Sequence, residues 1–246
     1  MAELEARHLS ELTFPEVSRA LRALSSAYVE RRAKLTGGAA LSGAGKRAAF
    51  ALFYGPLHFL LIRHIVSALP GATSPGPTIV DLGCGTGASG AAWASALSPG
   101  APRVVGVDRN PWAVAQASIT YRLFGVPAIV HRADALAMKL PHGPAATVAA
   151  FSINELDDSS RNVLLTRLLD RRRAHDQILI VEPLARSAAP WWNQWRDAFA
   201  RHGGRADEWR IPTELPAIVA KLDRAAGLDH RELTGRSLWI GSDRPR

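Results

Sequence analysis

The run Thr78-Ile79-Val80-Asp81-Leu82-Gly83-Cys84-Gly85-Thr86-Gly87 decides how the remainder of this chain reads. Thr78 to Leu82 has the β-branched and aliphatic content of a buried strand, bounded upstream by Gly76-Pro77 and downstream by glycines. Gly83, Gly85 and Gly87 alternate, so the backbone can turn sharply and approach a ligand with no Cβ atoms in the way. Ala88 to Leu97 is small and helix-compatible, and a helix opening there aims free N–H groups at whatever the turn holds. Strand, glycine turn and helix start together predict a nucleotide-type pocket.

Outward from this run the two sides differ in character. Upstream, Phe14 to Leu35 reads as a helix whose Val17, Leu21, Leu24 and Tyr28 form an apolar stripe. The glycine-rich segment from Thr36 to Gly45 ends it, and a second helical run follows from Lys46 to Leu69, kinked or divided at Gly55-Pro56. Pro70 to Pro77 has the composition of a linker. The expected division is therefore a helical cap over residues 1–73 and an α/β domain over 74–246. Downstream, strands are expected at Arg103–Asp108, Ala128–His131, Thr147–Phe151 and Gln177–Val181, with helices at Pro111–Phe124 and Asp158–Arg173 between them. His230–Leu233 and Ser237–Ile240 flank Thr234-Gly235-Arg236 and predict a closing hairpin. Such alternation specifies a mostly parallel sheet covered on both faces.

Composition narrows the function. The 246 residues are 47% apolar, enough to bury a sizeable core. A net charge of +8, carried mainly by arginine, suits an acidic partner such as nucleic acid, although biased base composition gives the same excess. Cys84 is the only cysteine, so neither an internal disulfide nor a cysteine-held zinc or iron–sulfur site is expected; this fits a reducing, cytoplasmic setting. The acidic start of the chain does not resemble a signal peptide. The most apolar stretch, Ala48 to Ala68, contains Pro56, His58, Arg63 and His64, and reads as a buried helix rather than a membrane span.

Candidate chemistry clusters after the strands. Asp108 ends the second strand roughly 20 residues past the glycine turn, where an acid can accept both hydroxyls of a ribose. Asp108 or Asn110 can also cap the helix that begins at Pro111. Asp134 follows the third strand, near the same sheet edge.

The run Asp81 to Gly87, followed by Gly106-Val107-Asp108 and Ala133-Asp134-Ala135, resembles the class I S-adenosylmethionine-dependent methyltransferases. The resemblance covers about Thr78 to Pro183 and implies a Rossmann-like, mostly parallel seven-stranded sheet with helices on both faces, a closing hairpin and an N-terminal helical lid. It implies S-adenosyl-L-methionine as cofactor: Gly83, Gly85 and Gly87 against its methionine part, Asp108 on ribose, Asp134 on adenine, and Asp81 orienting the turn toward the amino end. Cys84, Arg109, Ala135, Ser152 and Asn154 complete the expected cofactor contacts, and no metal is expected. Glu155, in Ser152-Ile153-Asn154-Glu155-Leu156, is the preferred polar contact at the methyl, able to take a proton or fix the nucleophile. Asp157 is the alternative, or a helix cap with Asp158. Tyr54 and His58 are the candidates on the lid. The absence of an Asn-Pro-Pro-Tyr type sequence after the fourth strand argues against amino-methylation of DNA bases, and Cys84, inside the turn, is unsuited as a base-attacking nucleophile.

Lys46 to Phe59, Ser152 to Leu156 and Glu182-Pro183 add a partial resemblance to Rsm22-type methyltransferase-like proteins associated with the small ribosomal subunit. That implies ribosomal RNA or small-subunit assembly; a small-molecule or peptide acceptor, and a non-catalytic cofactor-binding assembly factor, are the alternatives. Trp191, Trp192 and Trp195 with Arg196 suit either stacking on bases or packing of a helix onto the sheet.

Overall fold

The structure, a computed structural model, describes residues 1–30, 41–97, 100–141, 144–172, 176–185 and 189–242, with backbone alone at 27–30 and 172. It divides into two compact units, Met1–His58 with Arg210–Leu233, and Phe59–Trp209 with Thr234–Arg246.

In the first unit, α1 (Ala2–His8) precedes α2 (Phe14–Glu30). One arm of a capping box starts α2: the Glu16 carboxylate accepts from the Thr13 N–H at 2.8 Å and from its hydroxyl at 2.7 Å. The expected stripe is buried at Val17, Leu21 and Leu24, while the Tyr28 side chain and residues 31–35 lie outside the described residues. The second helical run does not break at proline. Ala44–Ala49 (α3) passes through a π-helical turn, Phe50–Tyr54, directly into α4 (Gly55–Ala68). The Gly55 N–H reaches back to the Phe50 carbonyl, and this wider turn carries the helix past Pro56. The run Ala44–Ala68 is long and apolar enough to cross a bilayer by composition, but 61% of its most apolar window is buried within the protein, which marks a core helix.

The second unit carries most of a seven-stranded sheet: β1 (Thr78–Leu82), β2 (Arg103–Asp108), β3 (Ala128–Arg132), β4 (Ala146–Ala150), β5 (Gln177–Glu182), β6 (Arg205–Pro212) and β7 (Glu232–Ile240). Their spatial order is β3-β2-β1-β4-β5-β7-β6. β1 to β5 pair in parallel, and β7 runs antiparallel to β5. Helices α5 (Ala88–Ser95), α6 (Pro111–Leu123), α7 (Asp158–Arg172) and α8 (Trp192–Arg201) follow β1, β2, β4 and β5, and α9 (Ala217–Ala225) joins β6 to β7. Strand order reverses between β1 and β4, which opens a crevice at their carboxyl ends.

Two expectations change. Residues 234–236 form no turn; they lie inside the single strand β7, whose outer neighbour is β6, and the two are joined through α9 rather than by a hairpin. Gly235 is there for close packing, since a Cβ would stand 2.9 Å from Leu61 Cδ2. The linker is also tied down: the Ala72 carbonyl accepts from Trp93 Nε1 at 2.8 Å, and the Gln177 amide donates to the carbonyls of Gly71 and Ser74.

Candidate active site

The glycine turn lies at the strand-order reversal. Gly83, Gly85 and Gly87 all have positive φ, at 66°, 52° and 80°. Gly83 must also be small: its Cβ would fall 2.5 Å from that of Ser152, whose hydroxyl donates to the Leu82 carbonyl at 3.1 Å. Gly87, left-handed, caps α5 and directs that helix's first N–H groups at the turn. Cys84 is buried within it; desolvation, then the charges of Asp81 and Asp108, push its thiol well above the ordinary range and leave it unreactive.

Asp108 faces the turn from the next strand. Its Oδ2 accepts the Gly85 N–H at 2.9 Å and its Oδ1 the Asn110 N–H at 2.8 Å. Asn110, not Asp108, caps α6, through bonds from the N–H groups of Trp112 and Ala113. Each Asp108 oxygen thus keeps acceptor capacity for a hydroxyl. Asp134 pairs with Arg109 at 3.6 Å and accepts the Leu136 N–H at 2.8 Å. Arg167 of α7 straps this segment, including Ala135, by donating to the carbonyls of residues 135, 136 and 138.

On the other side of the crevice, Phe151 adopts φ 58°, rare for a bulky residue, at the end of β4. It leads into the short 3-10 turn Ile153–Glu155. Asn154 donates to Glu182 Oε2 at 2.7 Å and accepts from Trp191 Nε1 at 2.8 Å. Glu182, completely buried, also accepts the Ile153 N–H. Glu155 is different. Its side chain reaches solvent, yet the protein around it removes enough water to raise its pKa; Asp108 raises it further and Arg109 opposes. The fold therefore gathers Gly85, Asp108, Arg109, Asp134 and Glu155 around one crevice. Asp157 instead caps α7, accepting the Ser160 N–H at 2.7 Å, and that bond most of all lowers its pKa.

Tyr54 and His58 belong to the other compact unit, within 6.1 Å of each other by ring centroid and beside Phe50. Burial raises the Tyr54 phenol, with a bond to Ser25 opposing. Despite a partly exposed edge, the packing around His58 lowers its imidazole to about 3, so it is neutral and a weak proton acceptor near pH 7. The tryptophans are packing residues: Trp192 and Trp195 of α8, with Trp191 just before it, join the core, and the Arg236 guanidinium lies 4.2 Å from the Trp192 ring centroid. Sequence reading missed Tyr121, whose hydroxyl donates to Asp81 Oδ2 at 2.9 Å, together with Arg167 and Trp191 as supports of the site. Each acts across more than twenty-five residues of chain, with no local motif to announce it.

The cradle fits an adenosyl cofactor. A side-chain-free bend faces a carboxylate with open acceptor sites, and carboxylates and an arginine surround the far end. A family model described as "Methyltransferase domain" matches residues 79–172. Among solved structures, mitomycin 7-O-methyltransferase MmcR is 14% identical with a TM-score of 0.54, over 97% of this chain and 71% of that one. A SAM-dependent methyltransferase from Aquifex aeolicus is 14% identical with a TM-score of 0.51, over 76% of this chain and 93% of that one. Comparison with curated protein sequences finds no match. Residues 79–172 thus match a methyltransferase domain, and the fold is the Rossmann-like one those solved methyltransferases share.

Proposed function

We propose that this chain is an S-adenosylmethionine-dependent methyltransferase acting on RNA, ribosomal RNA being the class that the sequence resemblance and the basic charge favour. The carrying observation is a pair of exposed arginines beside the cofactor cradle: Arg132 is the register partner of Asp108, and Arg109, which also pairs with Asp134 at 3.6 Å, follows Asp108 in sequence. A phosphate backbone laid along the ends of β2 and β3 would meet these groups. The buried tryptophans supply no stacking platform, so recognition rests on charge and on the splayed base.

When bound, S-adenosylmethionine supplies an electrophilic methyl on its sulfonium sulfur. Asp108 would hold the ribose hydroxyls, Asp134 would meet the adenine end, and the turn around Gly85 would leave room for the methionine part. Glu155 accepts the acceptor's proton as the nucleophile attacks, its raised pKa bringing it closer to the working pH than an ordinary carboxylate. Most of the acceleration would come from proximity and orientation, since the cofactor already carries an activated methyl.

A small-molecule acceptor is the second reading, supported by the fold likeness to a mitomycin methyltransferase over 97% of this chain. Titration of small-subunit RNA against salt separates the two. Single-strand contacts give about −0.7 in the log–log slope per neutralised phosphate, and Arg132→Ala should remove one such increment. Binding that ignores salt, with turnover of a small acceptor at every ionic strength, overturns the RNA reading.

A further inference from the structure

The glycines around the cofactor cradle do not all make way for a ligand. A Cβ on Gly90 would stand 2.9 Å from Tyr121 Oη, one on Gly87 3.2 Å from its Cζ, and one on Gly106 3.3 Å from both its Cε2 and Oη. The three belong to β2, the turn and α5, and one buried ring from α6 presses on all of them. Its hydroxyl meets Asp81 Oδ2 at 2.9 Å, and the same oxygen accepts the Gly90 N–H at 2.7 Å, inside the first turn of α5. Asp81 is 1% exposed and sits directly before the bend, so this one carboxylate ties the end of β1 to the start of α5.

We propose that Tyr121 is the positioning residue of the cofactor turn: its ring sets the path of the backbone from Gly87 to Gly90, and its hydroxyl holds Asp81 as an anion beneath the turn. The inference rests on the cofactor assignment and goes beyond it by naming Tyr121 as the group that fixes the turn and the charge on Asp81. A carboxylate there favours a ligand carrying an ammonium group, and the Tyr121 hydroxyl is one of the two donors that keep it charged. The groups facing Asp81 are Tyr121 from α6, Cys84 from the turn and Asp108 from β2. Burial raises the Asp81 pKa to about 6 and Asp108 adds to the rise, whereas the bonds from Gly90 and Tyr121 lower it. Protonation of Asp81 in mildly acidic solution removes the anion, so ligand affinity falls as pH drops through that range.

The test is calorimetric titration of the full chain with S-adenosylhomocysteine between pH 5 and 8, on wild type, Tyr121→Phe and Asp81→Asn. Tyr121→Phe keeps the ring, and a thermal melt at pH 7.5 checks that each variant is folded. The expected results are about tenfold weaker binding for Tyr121→Phe at pH 7.5, with the midpoint of its pH profile moved upward. Asp81→Asn should bind weakly with that inflection gone. Wild-type failure to bind at any pH would defeat the cofactor assignment itself. Wild-type binding matched by Tyr121→Phe, in strength and in pH profile, would overturn the role of Tyr121 alone, and an unchanged inflection in Asp81→Asn would overturn that of Asp81.

Discussion

Replacing Gly90 by alanine isolates the steric side of this arrangement. In an ordinary helix interior the exchange stabilises by about 1 kcal/mol, because alanine has less backbone freedom to lose. At Gly90 the new methyl would stand 2.8 Å from Asp81 Oδ2, 2.9 Å from Tyr121 Oη and 2.9 Å from Val104 Cγ1. All three neighbours are buried and come from different elements, so none can swing into solvent. Overpacking of this kind costs up to about 3 kcal/mol, which leaves a net destabilisation of about 2 kcal/mol. For a chain of this size that lowers Tm by about 4–8 °C. The second variant, Gly90→Ala with Tyr121→Phe, removes one of the three obstructions. Differential scanning fluorimetry on wild type, both single variants and the double variant gives the coupling: the double should lie above the sum of the two singles by about 1 kcal/mol. A Gly90→Ala protein that melts at or above wild type, or losses that simply add, would refute the close approach of Tyr121 to α5.

Other outcomes are expected at separate places. His58 has a folded-state pKa depressed from 6.5 to about 3, so its contribution to stability is present above pH 6.5 and is lost as pH falls toward 3. His58→Gln should flatten the acid limb of urea-denaturation stability between pH 6.5 and 4, and an unchanged acid limb would contradict burial of a neutral ring. Arg167→Met removes the donors that strap residues 135–138. Hydrogen exchange should accelerate in that segment, and S-adenosylhomocysteine should bind several-fold more weakly. Asn154→Ala strands the Trp191 indole N–H and one bond to buried Glu182, and should cost about 1–3 kcal/mol by chemical denaturation.

Much of the fold was legible because its signals are local. The strand, the alternating glycines and Asp108 lie within about thirty residues of one another, and the structure brings Gly85 and Asp108 to 2.9 Å. Asn110, rather than Asp108, takes the capping role, a choice sequence left open because both residues suit it. The closing region was misread for a physical reason: Gly235 looks like a turn residue, but it is a glycine because Leu61 packs against the strand there. Strand β6 carries charges along an edge and alternates without an obvious apolar run, so no strand was expected there. Tyr121 and Arg167 were invisible as site residues because their partners are distant in the chain and their residue types are ordinary in helices, and Trp191 drew notice for stacking rather than for its bond to Asn154. The tryptophan cluster shows the converse: a conspicuous sequence feature whose rings complete the core.

The most direct measurement is the affinity of the full chain for S-adenosylhomocysteine, compared between wild type and Asp108→Ala. Loss of two charge-assisted bonds at about 1.5 kcal/mol each predicts measurable binding by the wild type and binding about a hundredfold weaker in the variant, with the fold intact by circular dichroism. Equal affinity in the two proteins, or no binding by the wild type, would contradict the account.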